Sequence, residues 1–224
     1  MNRTQGGHSP ARVSATIRRP DPADLAALTC FFAGLSMQTR VQRFFAPVWP
    51  TAALIRLTCG WAEDDGAGGE RRVDASNARS RTGYTDALVA TIGGVVIGHA
   101  MAADRPADSS AGSSADSSAG PSPGSRGLVT EFGVVVADAW QGQGVGSALI
   151  RALISRAQAR GVTSLSMEVL PGNRDVLGMI ADHWTAARTH RGVDSVTIQA
   201  GLVPDGAGLA LDEPARTYAA SAAA

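Results

Sequence analysis

The stretch from Thr130 to Arg174 constrains this chain more than any other. Glu131-Phe-Gly-Val-Val-Val136 is short, apolar and β-branched, the composition of a buried strand. Ala137 to Gln141 is a loop, and Gly142-Gln-Gly-Val-Gly146 is a glycine turn that opens a helix. Val145, Leu149, Leu153 and Ala157, flanked by Ile150 and Ile154, then recur at helical spacing, with Ser147, Arg151, Ser155 and Gln158 on the wet face. Gly161 stands where a left-handed cap residue ends such a helix. Ser164 to Leu170 alternates polar and apolar side chains, as a half-buried strand does, and Leu170-Pro-Gly-Asn173-Arg174 turns into a further helix.

The chemistry lies in the glycine turn. A helix start leaves its first N–H groups without partners, and the aligned peptides add partial positive charge there. Glycines let that backbone approach an anion closely. Gln141, Gly142, Gln143, Gly144, Val145, Gly146 and Ser147 therefore form a candidate pyrophosphate cradle, although an ordinary strand-to-helix connection uses the same residue types. A dinucleotide-binding unit, with Glu168 on its second strand, fits less well. Its turn follows the strand directly, whereas Ala137 to Trp140 intervene here, and Ser147 stands at its third glycine position. A Walker-type loop is excluded, because all twenty basic residues are arginine and no lysine exists to reach a phosphate.

The order Gln141-x-x-Gly144-x-Gly146, behind an apolar strand ending at Val136, resembles the acyl-CoA-binding motif Arg/Gln-x-x-Gly-x-Gly/Ala of the GNAT superfamily of N-acetyltransferases. The strand leading into Leu170-Pro-Gly-Asn173-Arg174 is similar to that family's second motif. The resemblance implies an α/β GNAT fold: a mixed, twisted, mostly antiparallel sheet with helices on both faces, splayed to admit acyl-CoA. It implies that the amides of Gln141 to Ser147 hold the pyrophosphate. The backbone of Val134, Val135 and Val136 is then expected to line the pantetheine arm and polarise the thioester carbonyl. Asn173 matches the family asparagine that contacts the coenzyme arm, and a plain helix cap explains it equally well. The implied co-substrate is acetyl-CoA, without a metal, and the implied partner is an amine acceptor, either a small molecule or a protein lysine. A monomer or a homodimer is expected.

The phrase Leu35-Ser-Met-Gln-Thr-Arg40-Val-Gln-Arg43-Phe44-Phe45 resembles a segment of bacterial Pat-type protein lysine acetyltransferases, where it roofs the acceptor groove. Taken side chain by side chain, Phe44 and Phe45 packing on the sheet with Arg40 and Arg43 in water serves as well. A lysine amine has a pKa of ~10.4, so transfer to it needs a base, and a carboxylate in a dry groove suits that task. Glu131, ten residues before Gln141, matches the strand glutamate of Pat-type enzymes and is the candidate base; the alternative is a carboxylate that faces solvent or pairs an arginine. Glu168 is the second candidate, with the same alternative. Many GNAT enzymes carry a tyrosine about seven residues after the asparagine, as an acid for the departing thiolate; Ile180 stands there instead, and Asp182-His183-Trp184 replaces the usual Leu-Gly-Phe. A non-catalytic acyl-CoA-binding domain is the rival reading.

The rest of the chain supports one domain over 11–203. Residues 1–10 read as a disordered lead-in, 105–126 as a disordered Ser/Ala/Gly insertion and 204–224 as a flexible tail. Val13, Ala15 and Ile17 alternate as a first strand, Asp21 caps a helix whose stripe is Leu25, Leu28, Phe32 and Leu35, and Ser36 begins a second helical piece. A third helix covers Thr51 to Cys59, and Ala62 to Tyr84 is a long polar segment, mobile or an active-site flap. A hairpin turns at Gly93-Gly94, with His99 a packed or rim residue of its second strand, and a closing hairpin runs to Leu202. Cys30 and Cys59 read as buried free thiols without metal-ligand spacing. The formal net charge of +0 argues against general attraction to nucleic acid or membranes. Without a signal core or an apolar run of membrane length, a cytoplasmic protein is expected.

Overall fold

The computed structural model describes residues 13–61, 84–106, 128–184, 186–202 and 217–218. The lead-in, the polar segment after Ala62, the insertion and the tail fall outside these, apart from Tyr84, Arg105, Pro106, Thr217 and Tyr218. In chain order the elements are β1 (Val13–Ser14), β2 (Thr16–Arg18), α1 (Leu25–Gly34), α2 (Met37–Phe44), α3 (Ala52–Cys59), β3 (Thr85–Ile92), β4 (Val95–Pro106) and β5 (Leu128–Val136). They continue with α4 (Val145–Ala159), β6 (Ser164–Val169), α5 (Arg174–His183), β7 (Arg188–Arg191), β8 (Val196–Gly201) and β9 (Thr217–Tyr218).

Seven strands form one mixed sheet in the order β2-β3-β4-β5-β6-β8-β7. Its one parallel pair is β5–β6, because α4 carries the chain across one face between them. The expected first strand is broken at Ala15: β2 joins β3, whereas β1 pairs with β9. Arg105 and Pro106, placed in the insertion by composition, instead finish β4 opposite Val129 and Leu128.

Alternation along the strands gives the sheet two apolar faces. On one, Leu28 and Phe32 of α1, Leu35 at its C-cap and Ile55 of α3 cover Val89 and Val135. On the other, Val145, Leu149 and Leu153 of α4 cover Leu88, Ala90 and Ala100, and Ile150, Ile154 and Ala157 continue the core towards β6, β8 and α5. The helical stripe of α4 is thus buried as its periodicity predicts. Gly98 of β4 permits close approach of α4, since a Cβ there would lie 3.0 Å from Leu149 Cδ1. Cys59 is buried, but Cys30 is exposed, because it sits on α1 away from the face carrying Leu28 and Phe32.

Two buried carboxylates anchor the far end of α4. Asp86, 2% exposed, accepts from Arg156 Nε at 2.7 Å and Arg160 Nη1 at 3.0 Å and pairs Arg19 at 3.2 Å. Asp104 accepts from Arg160 Nε at 2.9 Å. Several arginines at one carboxylate offset the desolvation that an isolated buried charge would suffer, and they suit the negative end of the helix dipole.

His99 is fully buried, edge-on to Phe32, with Nε2 3.7 Å from Cys59 Sγ and no partner for Nδ1 among the described residues. It is a packed residue, one of the two roles expected for it. Burial, with the nearby Arg43 charge, pushes its imidazole down from 6.5 to about 3. Between those values the unfolded chain binds a proton that the folded one refuses, so stability rises with pH across this window and falls on acidification. Denaturant titrations should lose up to about 1.4 kcal/mol per pH unit below pH ~6.5 from this group, and His99→Gln should flatten that slope.

Candidate active site

The β5 and β6 strands part in the middle of the sheet. Their pairing runs Val129↔Ser164, Thr130↔Leu165 and Glu131↔Ser166, and stops. Yet β5 stays paired with β4 to Val136, and β6 stays paired with β8 to Val169. From Phe132 to Val136 the β5 edge facing β6 therefore lacks a strand partner among the described residues, and such an edge recruits one. A cavity of about 310 Å³ occupies the opening, lined by Arg43, Glu131, Gly133, Ser166, Glu168 and Asn173 among others. Val135 turns its side chain under α1, while Val134 and Val136 pack on the α4 side, so these valines offer the opening mainly backbone.

At the end of β5 a 3-10 turn, Asp138–Trp140, leads into the glycine bend. Gly142 and Gly144 have φ of 71° and 86°, a region that side-chain-bearing residues avoid. Gly144 is the N-cap of α4 and supplies no side chain to satisfy the helix start. Among the described residues, the amides from Gly142 to Ser147 make no well-formed hydrogen bond to the protein. A Cβ on Gly146 would meet only Val136 Cγ2, at 3.6 Å. Bare amides at a positive helix end, with room above them, fit a pyrophosphate.

The side chains of the bend do something that the motif alone does not reveal. Gln141 Nε2 donates to Val136 O at 3.0 Å and to Thr39 Oγ1 at 3.1 Å, and Gln143 Nε2 donates to Ala139 O at 2.9 Å. Both glutamine side chains brace the loop. Val145 is buried in the core, and Ser147 Oγ donates to Met179 Sδ at 3.4 Å. Asn173 caps α5, accepting from Val176 N at 3.4 Å, the helix-cap role expected for it, and it also lines the cavity.

Asp138 was not singled out by sequence, yet it joins α2 to the bend. It accepts from Ser36 N at 3.0 Å, from Ser36 Oγ at 2.7 Å and from Thr39 Oγ1 at 2.7 Å. Burial pushes its carboxyl up, but the Ser36 and Thr39 bonds outweigh this and hold it below the usual range. That contribution is present above the unfolded carboxyl pKa and is lost as pH falls through the lowered value. Asp138→Ala is expected to cost about 1 kcal/mol by chemical denaturation, since solvent reaches the carboxylate. It should also loosen acetyl-CoA binding several-fold by freeing the bend from α2.

The two candidate bases face the same cavity as α2. Glu131, with its side chain 54% exposed, accepts from Arg105 Nε at 2.6 Å, so the pairing named as its alternative is present. Glu168 is exposed and makes no ion pair among the described residues. The arginines of the Leu35–Phe45 phrase do not face water. Arg40, 6% exposed, lies 4.0 Å from the centroid of a Trp49 ring and donates to Ala33 O. Arg43 reaches across the sheet face to Gly133 of β5. Phe44 packs near Phe32, whereas Phe45, in the left-handed region at φ 59°, stays 40% exposed at the cavity rim. The glycine inside an otherwise β-branched strand was the available signal for this close approach.

A sheet parted beside a helix start rich in bare amides is an architecture for acyl-CoA binding. A family model described as the acetyltransferase (GNAT) family matches residues 42–182, more than half of the chain, so the chain belongs to that family. Its members transfer an acetyl group from acetyl-CoA. Solved structures agree on the fold. The GNAT domain of S. lividans PAT superposes with a TM-score of 0.59 at 24% identity, over 84% of this chain and 90% of that one. The protein yncA from Salmonella typhimurium, solved with its cofactor acetyl-CoA, gives 0.54 at 20%, over 88% and 99%. A ribosomal-protein-alanine N-acetyltransferase from Brucella melitensis gives 0.53 at 20%, over 83% and 99%. No curated protein sequence matches the chain.

Proposed function

We propose that the protein acetylates a primary amine from acetyl-CoA, with the coenzyme laid along β5 and its pyrophosphate on the amides of Gly142 to Ser147. The observation that carries this reading is the coincidence of two unsatisfied backbone surfaces on one line: the β5 edge beyond Glu131 and the helix start beyond Gly142. On that edge Val134, and the N–H of Val136, hydrogen-bond the pantetheine arm as a missing strand would and polarise the thioester carbonyl, whereas the register turns the Val135 peptide groups to His99 of β4 and Gln141 Nε2 already occupies Val136 O. Asn173 adds a polar contact from the opposite wall.

Glu131 takes the proton from the incoming ammonium, directly or through a water, with Arg105 orienting the carboxylate. Glu168 stands in the same cavity as the alternative base. At the position of the family tyrosine, Ile180 is 3% exposed in the α5 core, so no acid stands at that position; a thiol of ordinary pKa leaves without one. Among possible acceptors, a protein lysine is favoured by the Leu35–Phe45 phrase, whose helix α2 supplies the roof of the groove.

The test is thiol release from acetyl-CoA across a panel of small amines and lysine-containing peptides. Amine-dependent turnover supports the reading. Tight acetyl-CoA binding with no turnover on any amine would favour a non-catalytic acyl-CoA-binding domain.

A further inference from the structure

Arg43 leaves the last turn of α2 and presses its guanidinium against β5, so close that a Cβ on Gly133 would lie 2.6 Å from Cζ. Its Nε and Nη2 are buried and have no hydrogen-bond partner among the described residues. Glu131, which shares the cavity, is engaged by Arg105, and Glu168 lies beyond ion-pair distance. The Phe44 ring, 5.1 Å from Cζ, makes a cation–π contact but offers no acceptor oxygen. Burial pulls the pKa of Arg43 down to about 10, which leaves it charged at neutral pH. Arg43 as a whole is half-buried, but two buried donors without acceptors are costly, and protein interiors rarely tolerate them.

The place of this charge matters. Gly133 lies two residues beyond the last β5–β6 pair, at the apex of the opening, where the reading above puts the reacting thioester. The groove thus presents carboxylates at Glu131 and Glu168 for an ammonium, and a fork of unused donors at Arg43 for an anion. A guanidinium fork matches a carboxylate bidentately. We propose that Arg43 is a carboxylate receptor at the reacting end of the groove, so that the preferred substrate bears a carboxylate close to the bond being made. The carboxylate belongs to a dicarboxylic acyl chain on the coenzyme or to the amine acceptor. The inference rests on the acyl-CoA reading for which atoms lie nearby.

Calorimetry on the full chain tests it in two arms. The first compares succinyl-CoA with acetyl-CoA. The second compares 4-aminobutyrate with its amide, on the coenzyme A complex and again on the free protein. One arm should favour the carboxylate member by about ten-fold or more, and Arg43→Met should bring that ratio near one. Arg43→Lys should keep part of it, because a charge remains without the fork. The arm that responds identifies where the carboxylate resides. Equal binding in both arms of the wild type, which needs no variant to fold, overturns the proposal, as does a preference that survives Arg43→Met. Failure of every coenzyme A compound to bind would sink the acyl-CoA reading instead, and the free-protein titration would still decide the fate of Arg43.

Discussion

Gly144→Val is expected to weaken acetyl-CoA binding by about 100-fold or more while the chain still folds. Gly144 holds φ of 86° at the mouth of α4, and a β-branched residue resists that conformation by about 1–2 kcal/mol. Relaxing the strain would turn the bend and misdirect its amides. Without relaxation, the new methyls stand at the mouth of the bend proposed to hold the pyrophosphate. Losing charge-assisted bonds to an anion costs about 1.5–3 kcal/mol more. Calorimetric titration reads the affinity, and thermal unfolding checks the fold. Gly161→Val supplies the control, since Gly161 has nearly the same φ, 82°, just beyond the other end of α4. It should lower stability similarly and leave affinity unchanged. Equal binding losses in both variants would mean that backbone strain, rather than a cradle, is being measured.

Glu131→Gln is expected to lower kcat by about 100- to 1000-fold, the usual range for a lost general base, with acetyl-CoA affinity retained. Glutamine keeps the shape and can still accept from Arg105, so the pairing seen at 2.6 Å is not simply removed with the charge. Glu168→Gln should change kcat by less than about five-fold. The reverse pattern would move the base to Glu168, which faces the same cavity free of ion pairs among the described residues. Loss of coenzyme binding in Glu131→Gln would assign Glu131 a structural role at the end of the β5–β6 pairing.

The legible parts of the sequence were those governed by local rules. The period of Val145, Leu149, Leu153 and Ala157 fixed α4 and its buried stripe, because helical spacing and burial coincide. The glycines of the bend announced themselves through backbone conformations that other residues avoid. Long-range pairing was less visible. Nothing local marks Asp138 as the acceptor for Ser36 and Thr39, some hundred residues away, nor Asp86 as the carboxylate for Arg19, Arg156 and Arg160. Composition placed Arg105 in a polar insertion, but pairing with β5 and with Glu131 keeps it in β4. Arg40 and Arg43 illustrate the same point: charge suggested water, whereas a tryptophan ring and a glycine gap hold them inward.

Backbone amide NMR of the labelled protein, with hydrogen exchange before and after saturation with acetyl-CoA, addresses the coenzyme site most directly. The amides from Gly142 to Ser147, together with those on the β5 edge from Phe132 to Val136, should shift most and gain protection, while the β3–β4 hairpin stays unchanged. Saturation that leaves those amides unmoved, or that shifts a different surface, would contradict the placement of the coenzyme between β5 and β6.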